Sequence, residues 1–173
     1  MAILPILTAP HPFLKKKALP VTVFDAALAQ TLRDMLDTMY DAKGIGLAAV
    51  QVGIAQRILV MDVGEEGHGG PHIIINPVIT WLSEDMSSYN EGCLSVPTHY
   101  SDVVRPAEVK ITYQDAASAP HSLHARGLLS TCLQHEMDHL DGILFLDHLS
   151  SLKRTLILRK LIKKQKAADA VAL

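Results

Sequence analysis

The sequence predicts a single α+β domain in which mostly antiparallel strands pack around a helix that carries an HExxH motif, with a further helix at the C-terminus. The chain has 173 residues, 49% of them hydrophobic, with neither an internal repeat nor a linker, which fits one domain over residues 1–173. Three segments show helical apolar spacing, and the segments between the first two hold short β-branched runs. The order helix, strands, helix, helix is typical of α+β proteins.

Composition excludes several classes of protein. A formal net charge of −2 together with the high apolar content excludes a mainly disordered chain. No apolar run approaches the roughly 18 residues that a membrane-spanning helix needs, so we expect no membrane association. The near-neutral charge and 5% aromatic content argue against DNA or single-strand binding by the chain as a whole. Two cysteines are too few for a disulfide scaffold and are expected to be small buried residues or one bridge.

The first elements can be predicted from local signals. Three prolines near the start favour an extended arm or turns, and the first cations, at residues 15–17, follow the apolar stretch. This order is the reverse of a secretory signal, so we expect a cytosolic protein unless a presequence has been removed. A helix begins after Asp25 as N-cap and ends near Gly44. Its apolar face holds Leu28, Leu32, Met35, Leu36 and Met39.

The middle of the chain reads as strands. Residues 58–63 and 73–79 are short β-branched runs, and alternation at Val109, Ile111 and Tyr113 predicts a half-buried strand. The Gly-rich segment 64–72 predicts a mobile hairpin loop in which His68 and His72 are exposed.

Two helices are predicted in the last third. One covers residues 128–140 and stops near Gly142, and the other starts after Ser150 or Ser151, with a basic part over about residues 150–168. The last helix has a partial apolar face at Leu152, Leu156, Arg159 and the Leu161/Ile162 pair. Its seven cations form either a solvated face or a docking surface for a negatively charged partner; they are Lys153, Arg154, Arg159, Lys160, Lys163, Lys164 and Lys166.

The most informative segment is the HExxH motif of the second helix. His135 and His139 are four residues apart, so their imidazoles project from one helix face and can bind one cation. Glu136 is then placed to reach a metal-bound water rather than the metal. The alternative is a helix whose two histidines are capped by neighbouring acids.

A catalytic metal site of this kind needs a third protein ligand. In the metzincin pattern a third histidine would follow, but Phe145 stands at that position, and no Glu occurs after Glu136 for a thermolysin-like site. His148 and Asp147 remain as downstream candidates. Upstream, Cys93 lies in a turn-like context between Gly92 and a proline that marks an end to regular strand pairing, Pro97. A thiolate with two imidazoles would leave one coordination position open for water.

Three segments taken together resemble the motifs of the peptide deformylase family, in order and at similar separations. They are GIGLAAVQ at residues 44–51, EGCLS at residues 91–95 and QHEMDH at residues 134–139. The resemblance runs from about residue 4 to the final helix. It implies a metal-dependent hydrolase that removes the N-formyl group from the formyl-methionine of nascent polypeptides and releases formate.

The resemblance also implies a set of site residues. Cys93, His135 and His139 would hold the metal, Fe(II) in the family's native enzymes and commonly nickel, cobalt or zinc after purification. Glu136 would act as general base and then general acid, with metal-bound water as nucleophile. The side-chain amide of Gln51 and the backbone N–H of Leu94 would stabilise the oxyanion.

The sequence signals for substrate contacts are less specific than those for the metal site. Gly44 and Gly46 are either turn residues or positions that the substrate backbone approaches. Ile45, Leu94, Thr131 and Cys132 are either core residues or, by the family likeness, neighbours of an apolar pocket for the methionine side chain. Contacts at the variable rim, residues 98–102, cannot be carried over from the family.

The remaining expectations concern support and partners. Glu91 and Arg105 are predicted to form an ion pair that supports the Cys93 segment. The family likeness makes the basic helix a candidate for docking on the ribosome, and the function implies bacterial cytoplasm, or an organelle if a presequence was removed. Two alternatives remain at this point: a metallopeptidase that cuts internal peptide bonds, and a non-catalytic, metal-stabilised module that docks on ribosomes.

Overall fold

A computed structural model describes residues 2–64 and 70–171 of the chain. It has three α-helices, α1 (Ala26–Asp41), α2 (Gly127–Leu140) and α3 (Ser151–Val171). Its seven strands are β1 (Gly46–Ala48), β2 (Ile58–Met61), β3 (His72–Leu82), β4 (Met86–Cys93), β5 (Val96–Pro106), β6 (Glu108–Gln114) and β7 (Pro120–Arg126). All strand pairs within the two sheets are antiparallel, so the predicted α+β class is confirmed.

A five-stranded sheet with the order β1-β2-β3-β6-β7 forms the centre of the fold. One face packs on α2, through residues such as Leu59 and Met61 against Leu133. The other face packs on α1, with Ile58 and Val60 among the same buried residues as Met35. Because β2 is covered on both faces, its sequence is a continuous apolar run rather than an alternating one.

The second sheet is the β4–β5 hairpin. Val96 and Val103 of this hairpin pack with Phe145, Ile157 and Leu161 of the C-terminal part of the chain in a separate buried cluster. The hairpin was not predicted as two strands, because residues 86–93 are polar and mostly exposed. Regular pairing is interrupted at Pro97, as predicted: the register runs from Met86–Pro106 to Gly92–Tyr100 and then shifts to Cys93–Val96, so Pro97 lies within the bounds of β5 but has no paired residue in β4.

The predicted helix ends are close to the observed ones. Asp25 caps α1, with its Oδ1 accepting the N–H of Leu28 at 2.9 Å. At the other end the N–H of Gly44 bonds the carbonyl of Met39, but the left-handed residue is Lys43, with φ 55°, rather than Gly44. α2 stops before Gly142, whose φ of 75° and close approach to the Lys15 carbonyl exclude a side chain.

Two expectations about buried and exposed residues differ from the structure: one concerns the apolar face of α3, and the other concerns the histidines of the predicted loop. The buried face of α3 is formed by Ile157 and Leu161, while the predicted apolar residues Leu152 and Leu156 are 70% and 47% exposed. His72 is half-buried at the start of β3 rather than exposed in a loop, and most of the predicted loop, with His68, lies outside the described residues. Among the helices of the described residues, none is long and apolar enough to cross a bilayer.

Candidate metal centre and active site

The HExxH helix presents its two histidines side by side. His135 and His139 lie one turn apart on α2, with ring centroids 5.1 Å apart, and both are buried. Cys93 is the last residue of β4, and the tight turn at residues 94–95 carries it to the helix. Its Sγ lies 3.3 Å from Nε2 of His139, and one ligand atom from each of the three residues lies within 4.8 Å of the others.

These three side chains fit a divalent metal ion. Ligand atoms bound at roughly 2.0–2.3 Å in a tetrahedral site lie about 3.5 Å apart, close to the observed sulfur–nitrogen distance. Nδ1 of His135 is 2.8 Å from Oε2 of Glu91. Because a carboxylate accepts, Nδ1 carries the proton, and Nε2 of His135 is left for the metal.

Burial and neighbouring groups shift the pKa values of the two imidazoles in opposite directions. Burial and the charge of His135 hold the pKa of His139 well below its usual range, so its ring is neutral, as a ligand must be. Burial opposes a charge on His135, but the hydrogen bonds to Cys93 and Glu91 outweigh it and raise its pKa.

Glu136 lies beside the three ligands in a closed environment. It is 4% exposed, and its Oε2 has no hydrogen-bond partner among the described residues. Burial raises the pKa of this carboxyl to about 7, while the charge of His135 acts to lower it. A carboxyl with such a pKa can both accept and donate a proton near neutral pH.

Gly46 makes room for this carboxylate. A Cβ at Gly46 would lie 2.8 Å from Sγ of Cys132 and 2.9 Å from Cδ of Glu136. Real side chains essentially never approach so closely. Strand β1 therefore passes directly over Glu136 only because residue 46 is a glycine.

Gln51 is fixed with its amide nitrogen towards Cys93, one of the candidate metal ligands. Its Oε1 accepts the N–H of Ala48 at 2.8 Å, which leaves Nε2 to donate to Ser95 at 3.1 Å and to face Cys93 Sγ at 3.6 Å. Gln51 is 1% exposed, so the predicted alternative of a solvated loop amide is wrong. Leu94 lies in the hairpin turn next to Cys93.

A cleft of about 430 Å³ opens over this centre. The predicted residues Gly44, Ile45 and Gly46 line it, together with Gln51, Cys93, Leu94, His135 and Glu136. A smaller cavity of about 70 Å³ adjoins it, and the predicted residues Thr131 and Cys132 line that cavity with Ile45 and Leu128. The five predicted substrate residues therefore line two neighbouring spaces that share Ile45.

The predicted ion pair of Glu91 and Arg105 is confirmed. Nε and Nη2 of Arg105 donate to the two oxygens of Glu91 at 2.6 and 3.0 Å, and both side chains are buried. A third member was not foreseen: Nη1 of Arg105 donates to Asp138 at 2.8 Å. Asp138 lies within the HExxH motif, three residues after His135. This position is the signal by which the sequence could have indicated it.

The downstream alternatives for the third ligand are engaged elsewhere. His148 is 2.7 Å from Asp138, and Asp147 accepts the N–H of Leu144 and pairs with Lys15. Both cysteines are free thiols, and Cys132 is buried as predicted. Residues that sequence reasoning missed are Ser95, whose Oγ accepts from Gln51, and Tyr89 at the cleft; His99 and Tyr100, which also line the cleft, lie within the predicted variable rim.

Fold and site together define an α+β protein of the metal-dependent hydrolase class, with a Cys and two His beside a buried carboxylate. The sequence profile described as polypeptide deformylase matches residues 3–155. Similar curated proteins include the peptide deformylase of Brucella suis, 49% identical over 99% of each chain. Another is the peptide deformylase of Zymomonas mobilis, 51% identical over 98% of each chain.

Solved structures agree with this match. The peptide deformylase of Ehrlichia chaffeensis in complex with actinonin superposes with a TM-score of 0.91 and 42% identity, covering 95% of this chain and 98% of the other. The peptide deformylase of Legionella pneumophila gives a TM-score of 0.90 and 43% identity, covering 97% and 98%. The chain therefore belongs to the peptide deformylase family and is an enzyme of that family.

Proposed function

We propose that this enzyme hydrolyses the formamide bond at the N-terminal formyl-methionine of nascent polypeptides and releases formate. One observation carries the proposal: the ligand atoms of Cys93, His135 and His139 converge beside the buried carboxylate of Glu136, at the floor of the large cleft. The family membership supports the same reaction. By analogy with the Ehrlichia relative, actinonin would occupy this cleft.

Cys93, His135 and His139 would hold the metal. Fe(II) is the proposed native ion, and the same donors also accept nickel, cobalt or zinc. When bound, a divalent ion lowers the pKa of water and polarises a carbonyl group, the two kinds of assistance that an unreactive formamide needs.

Glu136 would move the protons of the reaction. Its carboxylate takes a proton from the attacking water and later donates it to the amine nitrogen that leaves as the C–N bond breaks. Burial supports both roles, because it raises the pKa of the carboxyl to about 7. The products are formate and a polypeptide with a free amino terminus.

Gln51 and Leu94 would stabilise the negative charge that develops on the formyl oxygen. The contact of Gln51 Oε1 with the Ala48 N–H fixes the amide, so that Nε2 can donate without reorganisation. The backbone N–H of Leu94 would be the second donor. Loss of one such donor commonly costs about 10²–10³ in rate.

Substrate would lie in the two neighbouring spaces. The polypeptide backbone would pass along Gly44, Ile45 and Gly46 in the cleft. The methionine side chain would enter the small cavity at Thr131 and Cys132, which has more apolar than polar surface. An unbranched thioether adapts well to such a narrow space.

The direct test is formate release from a formyl-Met tripeptide. Protein would be purified without oxygen and loaded with Fe(II) or Ni(II), and Glu136→Gln and Glu136→Ala would be compared with the wild type. We expect the rate to fall by about 10²–10⁴ in both variants, since a general base is lost, while bound metal stays stoichiometric. Glu108→Gln is the matched control, because Glu108 of β6 pairs with His124 and Arg126 of the edge strand β7.

Two outcomes would contradict the proposal. Fully metallated wild-type protein that releases no formate would overturn the deformylase reaction and leave the non-catalytic module to be tested. Cleavage of an unformylated peptide at internal bonds would favour the metallopeptidase instead.

We also propose that the enzyme acts in the bacterial cytoplasm. There we propose that it docks on the ribosome through the exposed face of α3. Leu152 and Leu156 lie on this face with cations such as Lys160, Lys163 and Lys164. Ribosomal RNA would supply the negative partner, and binding would weaken steeply with salt.

The docking test needs substitutions rather than a truncation. Deletion of residues 153–173 would also remove Ile157 and Leu161 from the core. Replacement of Lys160, Lys163 and Lys164 by Gln is expected to reduce co-sedimentation with ribosomes at low salt, whereas Lys17→Gln leaves it unchanged. Unchanged co-sedimentation of the triple variant would exclude this surface.

A further inference from the structure

The short 3-10 helix that joins α2 to α3 reaches the metal ligand His135 by two routes. This helix covers Phe145–His148. By the first route, the ring of Phe145 stacks on the ring of His135, with centroids 6.2 Å apart and planes inclined by 26°. Phe145 is fully buried, so it limits the positions that the imidazole can adopt.

The second route is a chain of hydrogen bonds. Nε2 of His148 is 2.7 Å from Oδ2 of Asp138, and because a carboxylate accepts, the histidine donates. The same Oδ2 accepts Nη1 of Arg105 at 2.8 Å. Arg105 holds both oxygens of Glu91, and Oε2 of Glu91 accepts the Nδ1–H of His135 at 2.8 Å. Four hydrogen-bonded links therefore connect a partly exposed histidine with a metal ligand.

Because Arg105 is buried, the whole chain of hydrogen bonds depends on the orientation of its side chain. The side chains of Glu91 and Arg105 are 3% and 6% exposed, so water cannot replace their hydrogen bonds. Glu91 occupies two donor nitrogens of the guanidinium fork, and Asp138 fixes the third, Nη1. Without Asp138 the fork would be held from one side only.

We propose that Asp138 and His148 are positioning residues for the metal centre: they fix the Arg105–Glu91 pair and, through it, the direction in which His135 presents Nε2. The inference rests on the proposed role of His135 as a metal ligand. It assigns a function to the 3-10 helix as well, since this segment carries both Phe145 and His148 and leads directly into α3. The predicted third-ligand candidate His148 thus acts on the site through Asp138 rather than by binding the metal.

The test measures how firmly the protein holds its metal. Wild type, Asp138→Asn, His148→Ala and His148→Gln would be loaded with Co(II) or Ni(II), and transfer of the ion to a chelator would be timed. Asp138→Asn is expected to release metal about 10–100-fold faster, the usual effect of losing a group that orients a ligand. His148→Ala is expected to accelerate release several-fold, and His148→Gln, which keeps a donor nitrogen, to restore most of the retention.

The visible absorption of the Co(II) form gives a second readout, because it reports the geometry of the ligands rather than stability. It is expected to change in Asp138→Asn and His148→Ala and to return in His148→Gln. Asp141→Asn and His121→Ala are matched controls, since each removes a similar contact away from the metal, with Arg57 and with Asp115. Metal-free thermal midpoints identify any variant that fails to fold, in which case the His148 pair carries the test.

Wild-type release rates and spectra in folded Asp138→Asn and His148→Ala would overturn the inference. So would failure of His148→Gln to restore what His148→Ala loses. A wild-type protein that holds metal firmly but releases no formate would instead contradict the proposed function. The two failures are therefore distinguishable.

Discussion

At the scale of single residues, the site depends on a glycine as much as on its acids and histidines. Gly46 lets β1 pass over Glu136 and Cys132 at a distance that any side chain would prevent. Gly44 is also close to a neighbour, but that neighbour is the flexible end of the Leu94 side chain. The two glycines should therefore tolerate substitution differently.

We predict that Gly46→Ala lowers both formate release and stability strongly, because the new methyl group displaces the Glu136 carboxylate or the strand itself. Overpacking of this kind typically costs about 1–3 kcal/mol. Gly44→Ala is the comparison and should cost less, since Leu94 can rotate away. Urea unfolding and kcat/KM of both variants check this, and equal losses would contradict it.

Gln51 illustrates a residue whose orientation is determined by its partners. Its amide oxygen and nitrogen have different neighbours, Ala48 and Ser95, so the group has one favourable orientation. That orientation directs the nitrogen, not the oxygen, towards Cys93 of the candidate metal centre. A hydrogen-bond donor is the group that an oxyanion requires.

At the scale of elements, α1 is stabilised by a local signal at its first turn. Asp25 caps α1 through its side-chain contact with the Leu28 N–H, and α1 covers the face of the sheet opposite α2. Neither Asp25 nor Leu28 lines the cleft. The cap should therefore affect stability without affecting chemistry.

Asp25→Ala is expected to destabilise the protein by about 1 kcal/mol, the usual cost of losing an N-cap. Asp41→Ala removes an exposed acid at the C-terminal end of the same helix, where a negative charge is unfavourable, so its stability should be unchanged or slightly higher. Urea unfolding measures both. A loss of kcat in folded Asp25→Ala would contradict a purely structural role.

At the scale of the whole molecule, two charged side chains tie distant parts of the chain together. Arg105 of β5 bonds Glu91 of β4 and Asp138 of α2, which joins the hairpin to the HExxH helix. Asp147 bonds Lys15 near the N-terminus and Arg154 of α3.

Arg105→Ala would leave two carboxylates facing each other without a cation. Breaking a buried pair from one side typically costs about 3–5 kcal/mol. We expect a lower midpoint of urea unfolding together with weaker metal retention, because His135 loses its support. Unchanged metal affinity and activity would show that the pair does not support the Cys93 segment.

The environment of Asp147 predicts that the free energy of unfolding depends on pH. Burial opposes its charge, but the Leu144 N–H and Lys15 outweigh it and hold the pKa of this carboxyl below its usual value of 3.8. A lowered pKa in the folded state means that the stabilisation is complete above the unfolded value and is lost as pH falls through the folded one. Asp147→Asn should therefore have a smaller free energy of unfolding than the wild type at neutral pH. Its free energy of unfolding should also fall less on acidification, which urea unfolding between pH 2.5 and 6 measures.

Much of the site could be predicted because its signals are local. Helical spacing alone placed His135 and His139 on one face, and Asp25 and Gly142 marked helix ends, since these features depend on residues within one or two turns. Cys93 could be proposed as the third ligand by its chemistry and by the resemblance, but spacing alone left His148 and Asp147 open. The choice among them depended on where the β4–β5 hairpin lies relative to α2.

The sequence by itself determined the fold class, the family resemblance and the residue types that meet at the metal centre, because short-range periodicity and motif order are written along the chain. Only the tertiary structure decided that Asp138 and His148 join the Arg105–Glu91 pair, that Gln51 directs its nitrogen inward, and that α3 buries Ile157 and leaves Leu152 and Leu156 exposed. The physical reason is that these contacts join segments far apart in sequence. Which face of a helix is buried, and which polar groups meet there, follows from packing between elements rather than from the residues of one element.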